Sequence, residues 1–193
     1  MLESSPIDFG DPLYGYRKLP SLKEELVRAR LTFPPQEGTQ GHTIYNPTTT
    51  CYRPACIFCQ NIKNKTRFTS TYTNRVYTKN VYTNRANCES KNLIYMLTCS
   101  KCGKQYIGET KRALRIRISE HLSDIKHKRD KPVSHHFNKT DHDITNCTFE
   151  IIQVMAGDPD SEPNTAIRRR TEMYWIHQLR TMHPLGLNSR DDL

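Results

Sequence analysis

Apolar positions are sparse over the first half of the chain and become patterned from residue 91 onward. Leu93-Ile94-Tyr95-Met96-Leu97 is a short unbroken apolar run and predicts a buried strand over 92–98. Lys104-Gln105-Tyr106-Ile107-Gly108 reads as a second strand. It is reached through the tight Cys99-Ser100-Lys101-Cys102-Gly103 segment, so the two form a hairpin. Leu114, Ile118, Leu122 and Ile125 recur at helical spacing and predict a helix over 111–128, with Thr110 as its cap. Pro132 opens a short helix through Val133 and Phe137, and 147–154 is a third strand. Pro163 to Thr181 predicts a second long helix with Ile167, Met173, Tyr174, Ile176 and Leu179 available for packing, and Pro184 to Asn188 is a loop. The order from residue 92 is β-β-α-α-β-α, which defines a small α/β (α+β) sandwich.

Upstream the pattern is weaker. In residues 71–85 a five-residue unit repeats three times, as TYTNR, VYTKN and VYTNR. Three copies are too few for a solenoid, and the Thr, Val and Tyr content predicts a hairpin or ribbon. Residues 1–50 are broken by Pro6, Pro12, Pro20, Pro34, Pro35 and Pro47. They hold one helix candidate, Leu22 to Leu31, with Ser21 and Glu24 at capping-box spacing. The chain therefore divides into a connector (1–50), a Cys-rich basic module (51–90) and a globular domain (91–193).

Charge adds a partner to this outline. Of 193 residues, 29 are Lys or Arg and 20 Asp or Glu, a net charge of +9. Residues 1–50 sum to −1, residues 51–139 to +14 and residues 140–193 to −4, so the middle of the chain carries the whole surplus. Residues 61–87 hold six basic side chains and no acid, interleaved with Tyr72, Tyr77 and Tyr82. Cations would bind phosphates and aromatic rings could meet bases or sugars, which favours nucleic acid over a merely solvated basic face. No apolar run approaches the ~20 residues of a membrane span, and the N-terminus lacks the basic and apolar regions of a secretory signal. The expectation is an intracellular, nuclear protein with no membrane partner.

Seven cysteines in such a chain favour metal over disulfides. Cys99-x2-Cys102 is a knuckle, and His136-x5-His142 supplies two further ligands for tetrahedral Zn²⁺, with His135 competing for the place of His136. Cys51-x4-Cys56-x2-Cys59 is a second knuckle, with Cys88 as its fourth ligand and His42 as a possible substitute. A zinc there would fold a segment that has almost no core of its own. Cys147 falls in a strand and reads as a small buried residue.

A set of polar residues remains that packing does not explain. Tyr95 and Tyr106 lie on paired strands, Arg117 and His121 share a helix face at i, i+4, Glu172 sits on the last helix, and Asn188 lies in the terminal loop. Phosphodiester hydrolysis needs these groups: a carboxylate for a divalent cation, a cation for the phosphate, and a phenol or imidazole for water. Leu93-Ile94-Tyr95, Tyr106-Ile107-Gly108-Glu109-Thr110, Arg117-x3-His121, Glu172 and Asn188 together resemble the GIY-YIG nuclease pattern. The cysteine pair between the two motif halves, with His136 and His142 after it, resembles the endonuclease of Penelope-like retroelements. Residues 19–29, the Cys51/Cys56/Cys59 cluster and Cys88 are similar to the linker that precedes that endonuclease. Leu93 replaces the first glycine of the motif.

The resemblance implies a small three-stranded GIY-YIG-type sheet flanked by helices, preceded by a zinc-stabilised linker module. It implies a DNA endonuclease with Mg²⁺ or Mn²⁺ on Glu172. Tyr106 is the favoured water-activating base, Tyr95, Arg117 and His121 orient water and stabilise the phosphate, and Asn188 fixes the loop near the metal. Lys111, Arg112 and Arg115 would hold flanking phosphates of double-stranded DNA. In a retroelement the nick would prime reverse transcription, which adds RNA and a reverse-transcriptase domain as partners. No Tyr-x-Asp-Asp occurs, so the chain is expected to be a fragment of a longer retroelement protein or a stand-alone gene derived from one. The rival readings are a non-catalytic zinc-stabilised nucleic-acid-binding module, a zinc-dependent protein-interaction module, and a repair or junction-resolving nuclease of the same superfamily.

Overall fold

The computed structural model of the protein describes residues 51–190 apart from Tyr52, Pro54 and Asn64, and leaves out the side chains of Val81 and Tyr82. The helix expected at Leu22 to Leu31, the alternative ligand His42 and the side chain of Tyr82 fall outside the described residues. No described helix is long and apolar enough to cross a membrane.

The elements in chain order are α1 (Ile57–Gln60), β1 (Arg67–Thr69), β2 (Val76–Thr78), α2 (Val81–Asn84), β3 (Leu93–Cys99), β4 (Gln105–Thr110), α3 (Leu114–Lys126), α4 (Pro132–Phe137), a 3-10 turn (Ile144–Asn146), β5 (Cys147–Val154) and α5 (Glu162–Leu179). From residue 93 the expected β-β-α-α-β-α order holds. The main sheet is antiparallel in the order β4-β3-β5, with β3 in the centre. That position explains its unbroken apolar run, since six of its seven residues are buried.

The two faces of the sheet are separate cores. Leu93, Tyr95, Leu97, Tyr106, Phe149 and Ile151 pack with Leu114, Ile118 and Ile125 of α3 and Val133 and Phe137 of α4. Ile94, Met96, Ile107 and Ile152 pack with Ile176 and Leu179 of α5 and Phe68 of β1. Alternation along β3 sends Tyr95 to the α3 side. Leu93, where the motif has glycine, is fully buried in that core, so the strand accommodates a side chain there. The pairing of β3 with β5 shifts register between Ile94 and Tyr95. Such an irregularity re-aims side chains at the point where Tyr95 leaves the sheet.

Three local expectations are corrected. Helix α3 begins at Leu114, not Lys111. Thr110 does not cap it; its hydroxyl accepts from Arg112 N–H at 3.1 Å and shapes the preceding turn. The repeat does not pair with itself: its second copy, as β2, pairs with Arg67–Thr69, while the third turns into α2. The first copy is the connecting turn, with Asn74 in the left-handed region at φ 57°, a conformation asparagine tolerates. On α5, Ile167, Met173 and Tyr174 are exposed and the buried face is Arg168, Thr171, Ile176 and Leu179. Ile167 and Tyr174, seven residues apart, share the outward side because Arg168 occupies the inward one.

Candidate active site and metal centres

The buried centre of the site is a hydrogen-bonded triad. Tyr95, with no solvent exposure, lies with its hydroxyl 2.7 Å from Nε2 of His121, and Arg117 donates from Nε to the same hydroxyl at 2.9 Å. Arg117 and His121 reach one atom because they are four residues apart on α3. Burial pushes the His121 pKa down to about 3, with Arg117 adding to the effect. The imidazole is therefore neutral at ordinary pH, so Nε2 accepts and Tyr95 donates. Burial likewise raises the Tyr95 pKa, which keeps its proton in place.

The depressed histidine carries a stability signature. As pH falls below 6.5 the unfolded chain takes up the proton first, so stability present above 6.5 is lost progressively towards pH 3. The extra slope reaches about 1.4 kcal/mol per pH unit. His121→Gln should remove that extra slope, measured as urea-unfolding free energies at pH 7, 6, 5 and 4.

Gly108 makes the triad possible. It pairs with Tyr95 across the hairpin, and a Cβ there would stand 2.3 Å from the Tyr95 hydroxyl oxygen and 2.8 Å from Cε1 of Tyr106. The glycine of the second motif half is thus the space into which the tyrosine of the first half fits.

Outside the triad lies a cleft of about 530 Å³ that brings together Tyr106, Arg117 and Glu172. Its walls also carry Glu109, Thr110, Lys111, Arg112, Thr165, Arg168 and Arg169. On α5, residues 165, 168, 169 and 172 share one face by helical spacing, which explains why Glu172 points with Arg169 into the cleft. The ring of Tyr106 stands 5.6 Å from that of His121 between centroids, joining the triad to the open space.

The cations of the cleft are unequally engaged. Lys111 pairs with Asp160 at 2.7 Å, Arg112 with Glu120 at 2.5 Å, and Arg117 with the other oxygen of Glu120 at 3.2 Å. Arg168 is buried, donating to Glu109 and from Nη1 to Asn92 Oδ1 at 3.1 Å. Arg169 makes no hydrogen bond or ion pair among the described residues. Arg169 stands in a run of three arginines, 168–170, and only the helix phase shows that it takes the cleft side. Glu120, Thr165 and Arg168 carry no sequence signal of their own, and Glu109 stands there only as part of the motif, because their roles depend on contacts between distant elements.

Two expected site residues stand apart. Arg115 does not line the cleft; its Nε donates to Glu89 at 2.8 Å, which ties α3 to the Cys88 loop. Asn188 also lies off the cleft wall. Its side chain accepts from Ile107 N–H at 2.9 Å, donates to Ile107 C=O at 2.8 Å and accepts from Thr181 at 2.7 Å. It imitates a strand partner on the free edge of β4, while Leu187 N–H donates to Gln105 C=O. Asn188 fixes the terminal loop against the strand that bears Tyr106.

Both four-ligand groups assemble as expected. The donor atoms of Cys51, Cys56, Cys59 and Cys88 all lie within 4.8 Å of one another, as do those of Cys99, Cys102, His136 and His142. The spacings fit tetrahedral zinc. Thiolates at about 2.3 Å from zinc stand about 3.8 Å apart, and a thiolate and an imidazole about 3.5 Å apart. The structure has Cys56 and Cys88 sulfurs 3.8 Å apart, and Cys102 Sγ 3.5 Å from His136 Nε2. Both ring nitrogens of His142 are buried without a hydrogen-bond partner, an expensive arrangement that a bound cation would relieve at one of them. Burial and neighbouring His142 hold the His136 pKa down at about 4, in the neutral form that ligates metal. His135 is exposed and pairs with Asp130 at 3.0 Å, which leaves His136 as the ligand. Cys147 is a buried residue opposite Cys99.

The paired-strand tyrosines, the α3 arginine–histidine pair and the α5 glutamate thus gather at one cleft and in the core beneath it. Residues 91–184 match the family model of the GIY-YIG catalytic domain. No curated protein and no solved structure matches the chain.

Proposed function

We propose that the protein is a metal-dependent DNA endonuclease that nicks one strand per active site. The observation that carries this reading is the convergence of Tyr106, Arg117 and Glu172 on one cleft, backed by the Tyr95–His121–Arg117 hydrogen bonds. A pure binding module has no use for a neutral buried histidine holding a tyrosine and an arginine in register.

The residues divide the chemistry between them. Glu172, which lines the cleft with Tyr106 and Arg117, is the carboxylate that would hold Mg²⁺ or Mn²⁺. A divalent cation there supplies charge neutralisation at the phosphate. Tyr106 lines the cleft and, in its phenolate form, accepts the proton of the attacking water, while Tyr95 is buried against His121 and Arg117. Arg117 faces the charge that builds on the phosphoryl oxygens, and its position is fixed by Tyr95. The water oxygen bonds to phosphorus as the P–O3′ bond breaks, and the departing O3′ takes a proton from solvent, leaving a 3′-hydroxyl and a 5′-phosphate. Lys111, Arg112 and Arg169 supply flanking phosphate contacts. The two zinc sites are structural.

The finer setting rests on the sequence resemblance. The nick would supply the 3′-hydroxyl that primes reverse transcription of a Penelope-like element, in the nucleus, beside a reverse-transcriptase domain and its RNA. The test is incubation of supercoiled plasmid with zinc-loaded protein and Mg²⁺ or Mn²⁺. Open-circle product that a DNA polymerase extends without end repair is the expected result. No nicking by folded protein that still shifts DNA would favour the zinc-stabilised binding module.

A further inference from the structure

The β1–β2 ribbon is not used by the chemistry above, yet it is tied firmly to the elements that carry it. Its inward residues Phe68 and Tyr77 stack at 5.4 Å, and both meet Trp175 of α5 edge-on, at 5.2 and 5.3 Å. Ser70 Oγ donates to Leu179 C=O at 2.9 Å and Tyr77 Oη to Gln178 C=O at 3.3 Å, so the ribbon caps the last turn of α5. Gln105 of β4 donates to Thr69 C=O at 2.9 Å and accepts from Thr71 N–H at 3.1 Å. The ribbon is thereby fixed to the helix that bears Glu172 and the strand that bears Tyr106.

Its outer side has a different character. Arg67, Thr69, Val76 and Thr78 all face solvent, and Lys65 and Arg75 flank them, also exposed. Lys65, Arg67 and Arg75 make no ion pair among the described residues, and no acid occurs between residues 61 and 87. The one buried cation of this stretch, Lys79, is neutralised by Glu150 at 2.8 Å. Three unpaired cations on a rigid two-stranded ribbon are suited to a phosphate backbone. Single strands are held by stacking on outward aromatic rings. Here the strands turn Phe68 and Tyr77 inward, and Tyr72, exposed in the turn, is one ring rather than the row that a single strand stacks on, so the outer face of the strands favours duplex.

We propose that the exposed cations of the β1–β2 ribbon, Lys65 and Arg67 on its outer face and Arg75 at the turn that joins its strands, are a second contact for duplex DNA, and that their fixed distance from the cleft sets which phosphate is cut. The proposal rests on the nuclease reading only for its second half. From Glu172 to Leu179 the helix rises about 10 Å, or about three base-pair steps of duplex.

The test compares the full, zinc-loaded chain with a Lys65→Gln/Arg67→Gln/Arg75→Gln variant. Circular dichroism and the melting temperature should be unchanged, because all three side chains are exposed. Binding to a 30-base-pair duplex is followed by fluorescence anisotropy across salt concentrations without Mg²⁺. Losing three phosphate contacts should flatten the slope of log K against log salt by about 2.7 and weaken binding about tenfold or more. Nicks on an end-labelled duplex should spread over neighbouring phosphates. An unchanged slope overturns the contact, as does a loss confined to single-stranded RNA. A reduced slope with unchanged nick positions overturns the ruler. A reduced slope where even the wild type does not nick leaves the contact standing and overturns the nuclease reading.

Discussion

Cys88→Ser should abolish the proposed nicking from a residue outside the cleft. Cys88 is the fourth donor of the upstream cysteine site, and the backbone around it holds the start of α3. Ser90 C=O accepts from Leu114 N–H at 3.0 Å and Cys88 C=O accepts from Arg115 N–H at 2.8 Å. These are first-turn donors that have no partner inside the helix, and no side chain caps them. Glu89 of the same loop adds ion pairs to Arg53 at 2.9 Å and Arg115 at 2.8 Å. The four-cysteine site therefore positions the helix that carries Arg117 and His121. Losing one thiolate should reduce bound zinc from two to about one per chain. It should also loosen residues 51–90, which have little core of their own. A shift of α3 by about 1 Å costs on the order of 100-fold in rate. Zinc content by plasma emission, hydrogen exchange of residues 88–116 and the nicking rate check the three parts together. Full activity with one zinc lost would sink the coupling.

Gly108→Ala is the second large effect. Its Cβ has no room, because the Tyr95 hydroxyl and ring carbon Cζ lie 2.3 and 2.5 Å away and both tyrosines are buried. Relief requires Tyr95 to move, which breaks its bonds to His121 and Arg117 in a place water does not reach. Overpacking costs about 1–3 kcal/mol and an unsatisfied buried polar group about 1–3 more. The expected outcome is destabilisation of about 3 kcal/mol in urea unfolding, with cutting lost in the fraction that still folds. An equally stable and active Gly108→Ala protein would show that the packing of Tyr95 against this strand is not required.

Much of this was legible in the residues themselves. The apolar run of β3, the helical spacing in α3 and the Pro132 start each reflect local rules, and the structure keeps their order. The choice of His136 over His135 followed from spacing alone, and burial supports it. What the sequence hid depends on contacts between distant elements. Helix α5 carries apolar residues on its solvent side and a buried Arg168 on its inner side, so periodicity misplaced its face. The repeat over 71–85 looked like a ribbon in itself, but Arg67–Thr69 outcompeted the third copy for pairing. Arg115 seemed a phosphate ligand from its place on α3, whereas Glu89 holds it. Arg169 emerged as a cleft residue only once its phase with Glu172 was fixed.

The most direct test of the central claim compares wild type with Glu172→Gln, both zinc-loaded, for nicking of supercoiled plasmid in Mg²⁺ or Mn²⁺ and for duplex binding in parallel. Glu172 is half-buried on the cleft wall, and glutamine keeps its size while removing the charge. The account predicts metal-dependent nicking by the wild type, a fall of at least about 1,000-fold in the variant, and binding unchanged within about twofold. Undiminished nicking by Glu172→Gln, or none by the wild type, would contradict it.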